Sequence, residues 1–144
     1  MMETEASSGV SILAVDDERS LLKLLARVLE KQGYEVACAP DASSGIETFR
    51  ALERELDLVF LDVNIPPRGV GELFDEILER RPDIAVILSS GEPLSDALEE
   101  RLDQCRGIYL RKPFKPKVML DRVRELCERG SRANGVGFAA PRRG

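Results

Sequence analysis

Short apolar runs alternate along the chain with stretches in which apolar residues recur every three or four positions. The runs cover residues 11–15, 35–39, 57–61, 84–88 and 107–110. Most are rich in β-branched residues, which is typical of parallel strands covered on both faces. The first helical stretch places Leu21, Leu25 and Leu29 on one face. Repetition of this unit predicts an α/β fold, a doubly wound five-stranded parallel sheet with right-handed crossovers.

The two ends of the chain lack this periodicity. Residues 1–9 are small and acidic, and we expect a disordered N-terminal extension there. Residues 130–144, GSRANGVGFAAPRRG, are rich in glycine and arginine, and we expect a flexible C-terminal tail. Residues 10–129 are numerous enough to form one domain with its own core. Within that domain, Gly33 is predicted to end the first helix and Pro93 to open the fourth.

Composition narrows the possible functions. The 144 residues carry a net charge of −5 at pH 7, which argues against direct nucleic-acid binding. The three cysteines show no C-x-x-C spacing, so neither a disulfide framework nor a zinc site is predicted. Histidine is absent, which excludes a phosphohistidine relay on this chain. No apolar run reaches membrane-spanning length, and we expect a cytoplasmic protein with no membrane partner.

Residues that can do chemistry follow four of the five predicted strands. These residues are Asp16-Asp17-Glu18 after the first run, Asp62 after the third, Ser89-Ser90-Gly91 after the fourth and Arg111-Lys112-Pro113 after the fifth. Each alone is weak evidence, since an aspartate there is often a helix N-cap and a serine pair before glycine is often a turn. In an open parallel sheet, however, ligands bind outside the carboxyl ends of the strands. The meeting of these residues at one edge predicts a functional site.

The chemistry of that edge points to phosphate. Carboxylates from Asp16, Asp17 and Asp62 would disfavour one another's ionisation unless a cation neutralised them. Mg²⁺ prefers such oxygen ligands and also binds substrate phosphate. Lys112 can hold a phosphate oxygen, and a serine hydroxyl can donate to another. A carboxylate nucleophile with a metal, an ammonium and a hydroxyl predicts a phosphoryl-transfer site that forms an aspartyl phosphate.

Five segments of the chain resemble the motifs of the receiver domains of two-component response regulators. They are VDDE at 15–18, FLDVNIP at 60–66, GEL at 71–73, LSSG at 88–91 and YLRKPF at 109–114. The resemblance covers residues 10–129 and includes the order and spacing of the motifs. It implies a flavodoxin-like (CheY-like) fold with strand order 2-1-3-4-5.

The resemblance also implies the roles of the residues in the site. Asp62 is implied as the phosphoacceptor, which would receive its phosphoryl group from a sensor histidine kinase or a phosphotransfer protein. Asp17 is implied as a direct Mg²⁺ ligand, with Asp16 acting beside it through water. The backbone carbonyl of Asn64 would complete the protein's share of the metal shell, and Lys112 would pair with the phosphoryl group.

Two residues match the switch positions of the family. Ser90, directly before Gly91, matches the switch hydroxyl, and Tyr109 matches the switch aromatic. The alternative for Tyr109 is a half-buried strand aromatic without a switching role. Their movement would change the face made by the fourth helix, the fifth strand and the fifth helix, and with it the affinity for a downstream protein. The bond from Lys112 to Pro113 is expected to be cis.

Two polar residues are expected to set the lifetime of the phosphorylated state. Asn64 lies two residues after the phosphoacceptor and Glu92 two residues after Ser90. Both resemble the pair found in fast-resetting chemotaxis receivers, so rapid self-dephosphorylation is predicted. The alternative for Glu92 is a cap of the fourth helix, where a negative charge is favourable.

The sequence departs from the family pattern at three positions. Ile65 replaces the usual methionine, Val70 replaces a glycine between Gly69 and Gly71, and the switch hydroxyl of Ser90 belongs to serine and not threonine.

Other function classes fit the sequence less well. A Mg²⁺ phosphatase would want an aspartate at position 64, where the chain has Asn64, so we predict no enzyme activity beyond self-catalysed phosphorylation and dephosphorylation of Asp62. A flavodoxin-like cofactor binder would not place Asp16 and Asp17 in its phosphate loop. A degenerate receiver is the remaining alternative, although all the core chemical positions are filled. The protein is expected to be a stand-alone adapter or a fragment of a hybrid kinase.

Overall fold

Strands and helices alternate from residue 9 to residue 136, the part of the chain that this computed structural model describes, with side chains through Glu128. The strands are β1 Ser11–Val15, β2 Glu35–Ala39, β3 Leu58–Asp62, β4 Ala85–Ser90 and β5 Arg106–Arg111. The helices are α1 Arg19–Glu30, α2 Ala42–Leu52, α3 Gly71–Arg80, α4 Asp96–Asp103 and α5 Pro116–Val136. No helix in this described part is both long and apolar enough to cross a bilayer.

The strands form one parallel sheet in the order β2-β1-β3-β4-β5, which confirms the predicted order. Every residue of β3 and β4 is buried, whereas β2 and β5 at the sheet edges are partly exposed. Helices cover both faces of the sheet, which explains why the central strands are apolar up to Leu61 in β3 and Leu88 in β4.

Helices α1 and α5 cover one face of the sheet, and α2, α3 and α4 cover the other. Side chains of β3 alternate between the two cores: Leu58 and Phe60 face α1 and α5, and Val59 and Leu61 face the opposite layer. The same alternation continues to the carboxyl ends of the strands, where it decides which way the functional side chains project.

Strand β4 is longer than the apolar run that predicted it. It includes Ser89 and Ser90, beyond the predicted end at residue 88. Their backbone carbonyls continue the ladder, since Val63 N donates to Ser89 O at 2.9 Å and Lys112 N donates to Ser90 O at 2.9 Å. Hydroxyl side chains do not interrupt strand pairing, so Ser90, the predicted switch serine, is held by strand β4 itself.

The predicted start of the fourth helix is wrong. Helix α4 begins at Asp96 and not at Pro93, because the side chain of Ser95 forms the N-cap and accepts from Leu98 N at 3.2 Å. Glu92 lies four residues before the helix, so it is not the cap of α4 either.

The last helix crosses the predicted boundary at residue 130. Helix α5 continues to Val136, seven residues into the segment expected to be a flexible tail. No proline lies between Pro116 and Pro141, so nothing in this stretch removes a backbone donor from the helix. Residues 137–144 of that predicted tail, and residues 1–8 of the predicted N-terminal extension, lie outside the described residues.

Gly33 and Gly69 take a backbone conformation that residues other than glycine rarely adopt. Gly33 follows α1 with φ of +90°, as predicted from its place after the helical stretch. Gly69 has φ of +93° in the loop before α3, so the left-handed position falls one residue before Val70. Val70 itself has φ of −91° and precedes the helix as its N-cap.

Candidate functional site

Three aspartates meet at the carboxyl edge of the sheet. Asp62 is the last residue of β3, while Asp16 and Asp17 directly follow the neighbouring β1. One carboxylate oxygen from each lies within 4.8 Å of the others. Asp16 is fully buried and Asp62 is 4% exposed, whereas Asp17 is exposed. The predicted cluster therefore forms, with its open side at Asp17.

Lys112 reaches this cluster from the end of β5. Its Nζ forms an ion pair with Asp16 Oδ2 at 2.9 Å and lies 3.7 Å from Asp62 Oδ1 and 4.0 Å from Glu18 Oε1. The peptide bond from Lys112 to Pro113 is cis, as expected. The lysine that was expected to pair with a phosphoryl group thus pairs here with the carboxylates.

The electrostatics of the site follow from burial and from these charges. Burial raises the pKa of Asp62, and the neighbouring Asp16 carboxylate raises it further, against the lowering effects of the Asn64 N–H and the Lys112 ammonium. Burial, the largest single influence on Lys112, lowers its pKa, but the carboxylates of Asp16, Asp62 and Glu18 together outweigh it and leave that pKa raised. The site therefore favours a cation and resists one more negative charge.

Local hydrogen bonds orient two of the carboxylates. Asp16 Oδ1 accepts from the backbone N–H of Glu18 at 2.9 Å, and Asp62 Oδ1 accepts from the backbone N–H of Asn64 at 3.3 Å. Ile65, the departure from the usual methionine, is fully buried and anchors the loop after β3. Asn64 itself is exposed at the rim of the site.

One residue near the lysine was not assigned a role from the sequence. Glu18 is 61% exposed along its side chain and faces Lys112 from the start of α1. The signal was present, because Glu18 is the fourth residue of the segment VDDE. From the sequence, Glu18 was assigned only to the motif, and its approach to Lys112 was not predicted.

The charges of the cluster fit a divalent cation. Three carboxylates and one ammonium leave two net negative charges at an edge that is buried on one side and open on the other. Hard oxygen ligands of this kind suit Mg²⁺, which retains water molecules on its open side. The side chains of Asp16, Asp17 and Asp62 are the ones placed to hold such an ion.

Ser90 and Tyr109 are joined through the backbone of Glu92. Ser90 Oγ accepts from Glu92 N at 3.0 Å, while Tyr109 Oη donates to Glu92 O at 2.8 Å and to Ser90 O at 3.2 Å. Tyr109 is half-buried, and the Glu92 side chain is exposed. The two predicted switch positions are therefore linked physically, and Glu92 contributes its backbone to that link.

The strand register places Ser89 and Ser90 on different faces. Ser89 is the register partner of Asp62. Ser90 lies two residues after Leu88 on β4 and therefore faces the same side of the sheet. Leu88 and the half-buried Tyr109 belong to the core under α2, α3 and α4. Ser90 thus contacts the predicted switch aromatic, and Ser89 lies beside the predicted phosphoacceptor.

Comparison with known proteins identifies the family. The model of the response regulator receiver domain matches residues 12–124, and the chain belongs to that family. It is 29% identical over 118 residues to the chemotaxis protein CheY of Treponema pallidum, covering 81% of this chain and 82% of that protein. It is 32% identical over 130 residues to the sensor kinase CckA of Brucella abortus, covering 88% of this chain but only 13% of that protein.

A solved structure shows the same fold. A CheY-like receiver domain protein from Methanospirillum hungatei superposes with a TM-score of 0.74 at 26% identity, over 85% of this chain and 97% of that one. The described residues form five parallel strands in the order 2-1-3-4-5 with five helices, as predicted. The likeness to this solved structure confirms the CheY-like fold.

Proposed function

We propose that this receiver domain accepts a phosphoryl group on Asp62, with Mg²⁺ bound at the acidic cluster, and thereby changes its affinity for a protein partner. The observation that supports the proposal most strongly is the group of three carboxylate oxygens within 4.8 Å of one another, with one ammonium beside them. Such a charge balance suits a dication and a transferring phosphoryl group.

In the proposed transfer, a carboxylate oxygen of Asp62 attacks the phosphorus of phosphohistidine on a sensor kinase or a phosphotransfer protein. The new oxygen–phosphorus bond forms as the phosphorus–nitrogen bond of the donor breaks, and the departing imidazole takes up a proton from solvent. Mg²⁺ would supply positive charge to the phosphoryl oxygens, held by Asp16, Asp17, Asp62 and the backbone carbonyl of Asn64. Lys112, which pairs with Asp16 in this structure, would turn to a phosphoryl oxygen and orient it.

Ser90 is poised for the step that follows. Its Oγ already accepts from Glu92 N, which leaves the hydroxyl proton available for a phosphoryl oxygen. Movement of Ser90 toward Asp62 would shift Glu92 and disturb the hydrogen bond from Tyr109. The phosphorylation site is in this way connected to the outer face of β5.

The face made by α4, β5 and α5 is the proposed output surface. Leu102 is the one buried residue of α4, so this helix is lightly anchored. A surface cavity of about 410 Å³ lies between α4 and β5, lined by Leu94, Glu99 and Tyr109 among others. A change in Tyr109 would alter this cavity directly, and a protein partner would read the change.

We further infer that the chain is not an enzyme acting on a separate substrate. In the proposed transfer Asp62 is the group that becomes phosphorylated, and the cation, Lys112 and Ser90 act only on that group. We place it in the cytoplasm, where its three free cysteines would stay reduced. We propose an adapter role, either as a separate protein or as the receiver part of a hybrid kinase.

The test is covalent labelling with a small phosphodonor and Mg²⁺. Intact mass is expected to rise by one phosphoryl group in the wild type and to stay unchanged in Asp62→Asn. Asp57→Asn is the matched control, because Asp57 precedes the same strand at the opposite edge of the sheet and accepts a hydrogen bond from Ser11 N that asparagine can keep. Labelling of Asp62→Asn at the wild-type level would refute the assignment.

A further inference from the structure

A buried hydroxyl at the end of β4 has no partner in the structure. Ser89 is fully buried, and its Oγ makes no hydrogen bond to any group that the structure describes. A buried hydroxyl in this condition lowers stability about as much as a lost hydrogen bond does. Most buried polar groups in native proteins are paired, so this one calls for a partner in another state of the molecule.

The register of the sheet identifies that partner. Ser89 is paired in register with Asp62 on one side and with Leu110 on the other. The three side chains project toward α1 and α5, because Phe60 and Ile87, two residues earlier on their strands, both belong to the core on that side. Leu110 cannot accept a hydrogen bond. The Asp62 carboxylate is therefore the acceptor among the register neighbours of Ser89.

The separation of the strands allows this hydrogen bond. Neighbouring strands lie about 4.8 Å apart. The hydroxyl oxygen extends one bond from Ser89 Cβ, and the carboxylate oxygens extend two bonds from Asp62 Cβ, so the two side chains together span the gap. A rotation of Ser89 χ1 from one staggered rotamer to another redirects the hydroxyl without moving the backbone, which the bond from Val63 N to Ser89 O holds at 2.9 Å.

We propose that Ser89 is a positioning residue for the phosphorylation of Asp62. After this rotation its hydroxyl donates to one carboxylate oxygen of Asp62, while the other oxygen attacks phosphorus. The inference rests on the proposed function of Asp62. Ser89 keeps its proton throughout: the oxygen–phosphorus bond to Asp62 forms, the bond between phosphorus and the donor's leaving group breaks, and the leaving group departs with the bonding electrons.

The two adjacent serines then have separate duties. Ser90 projects toward the core under α4 and contacts Glu92 and the switch aromatic. Ser89 projects toward α1 and α5. Within the described residues, its hydroxyl makes no hydrogen bond to Ser90, Glu92 or Tyr109. Ser89 acts before transfer, by donating a hydrogen bond to the Asp62 carboxylate. Ser90 acts after transfer, by donating a hydrogen bond to a phosphoryl oxygen.

The proposal predicts opposite signs for stability and for rate. Ser89→Ala removes an unpaired buried hydroxyl, so the melting temperature without metal should stay the same or rise. The same variant should be phosphorylated about tenfold more slowly, since a hydrogen bond to a charged group contributes roughly that factor. A residue that only fills space would lower stability and rate together.

The experiment compares Ser89→Thr with Ser89→Val, two side chains of nearly the same shape that differ in the hydroxyl. Initial phosphorylation rates with acetyl phosphate and saturating Mg²⁺ are measured by intact mass, and thermal unfolding of each variant is followed by circular dichroism. We expect threonine to keep the rate within about twofold, and valine and alanine to lower it about tenfold, with the donor concentration for half-maximal rate unchanged.

Equal rates for the threonine and valine variants would overturn the role of Ser89, and so would an alanine variant that reacts as fast as the wild type. Either result would leave the proposed function intact, because the wild type would still be labelled at Asp62. Failure of the wild type itself to take up phosphate would overturn both. If valine destabilises the fold, the alanine variant at a temperature well below its melting point still decides the question.

Discussion

Replacing Lys112 by methionine tests the electrostatic account of the site, because methionine keeps most of the length and apolar volume of the side chain and removes its charge. In the metal-free protein this change leaves Asp16, which is fully buried, without the ammonium 2.9 Å away. Asp62, 3.7 Å from the same ammonium, loses part of its compensation as well. We therefore expect Lys112→Met to be destabilising without metal.

The magnitude follows from burial. Removing one partner of a fully buried ion pair costs about 3–5 kcal/mol. Lys112 is 21% exposed along its side chain and the cluster is open at Asp17, so water partly solvates the unpaired carboxylates. We therefore expect the free energy of unfolding to fall by about 2–3 kcal/mol. For a chain of this size the melting temperature should fall by roughly 6–12 °C.

Mg²⁺ should reverse much of the loss. The lysine and the metal compete for the same carboxylates, so the variant should bind Mg²⁺ more tightly than the wild type and gain more stability from it.

The stability that Lys112 contributes should depend on pH with a definite sign. The folded-state pKa of Lys112 is raised above its ordinary value of 10.5, so its stabilisation is fully present below that pH and is lost as pH rises through the folded pKa. The wild type should lose its advantage over the variant in that alkaline range.

The assay is thermal unfolding by circular dichroism with and without Mg²⁺, and calorimetric titration of the metal. Lys117→Met is the matched control, since Lys117 is 81% exposed and its pair with Asp121 is 3.4 Å long; it should change stability by less than about 0.5 kcal/mol. Equal melting temperatures for wild type and Lys112→Met without metal would refute the reasoning. Weaker Mg²⁺ binding in the variant would refute the competition.

Three further predictions concern other residues of the site. Asp17→Ala should weaken Mg²⁺ binding about tenfold or more in a calorimetric titration, because an exposed carboxylate ligand is lost; unchanged affinity would contradict the ligand set. Ser90→Ala should leave phosphorylation possible but blunt phosphorylation-dependent partner binding, and Ser89→Ala should affect that binding less once both proteins are equally phosphorylated; the reverse ranking would move the switch role to Ser89. Asn64→Met and Glu92→Leu should each slow the decay of the phosphorylated protein after donor removal, because apolar side chains at the rim obstruct the attacking water; unchanged decay would show that this rim does not set the lifetime.

The position of the site was predictable from the sequence because it depends on strand order and not on side-chain detail. A run of buried residues that ends in Asp62 fixes where β3 stops, and the carboxyl ends of parallel strands share one edge. The motif residues Asp16, Asp17 and Lys112 therefore meet there, as the structure confirms. The strand order itself came from the family resemblance and is confirmed by the sheet.

Features that depend on hydrogen bonds between non-neighbouring groups were not predictable in the same way. The start of α4 was misplaced because Pro93 and Ser95 both carry helix-start signals, and the hydrogen bond from Leu98 N to Ser95 Oγ decides between them. The pairing of Lys112 with Asp16 was missed because the family resemblance assigned this lysine to a phosphoryl group and not to a carboxylate of the site. The lack of a partner for Ser89 could not be predicted either, since alternation alone does not say which hydroxyl is satisfied.

The hydrogen bonds between the site and the proposed output face would also limit how strongly the domain can switch. Tyr109 Oη donates to Glu92 O at 2.8 Å and to Ser90 O at 3.2 Å, while Glu92 N donates to Ser90 Oγ. Each bond of the tyrosine is worth about 1 kcal/mol net, so losing both biases Tyr109 by about 2 kcal/mol, or roughly thirtyfold in population. An all-or-none response needs about 5.5 kcal/mol. Phosphorylation acting through these bonds alone should therefore produce a graded change in partner affinity, and a steeper response would require the partner itself to contact the loop between β4 and α4.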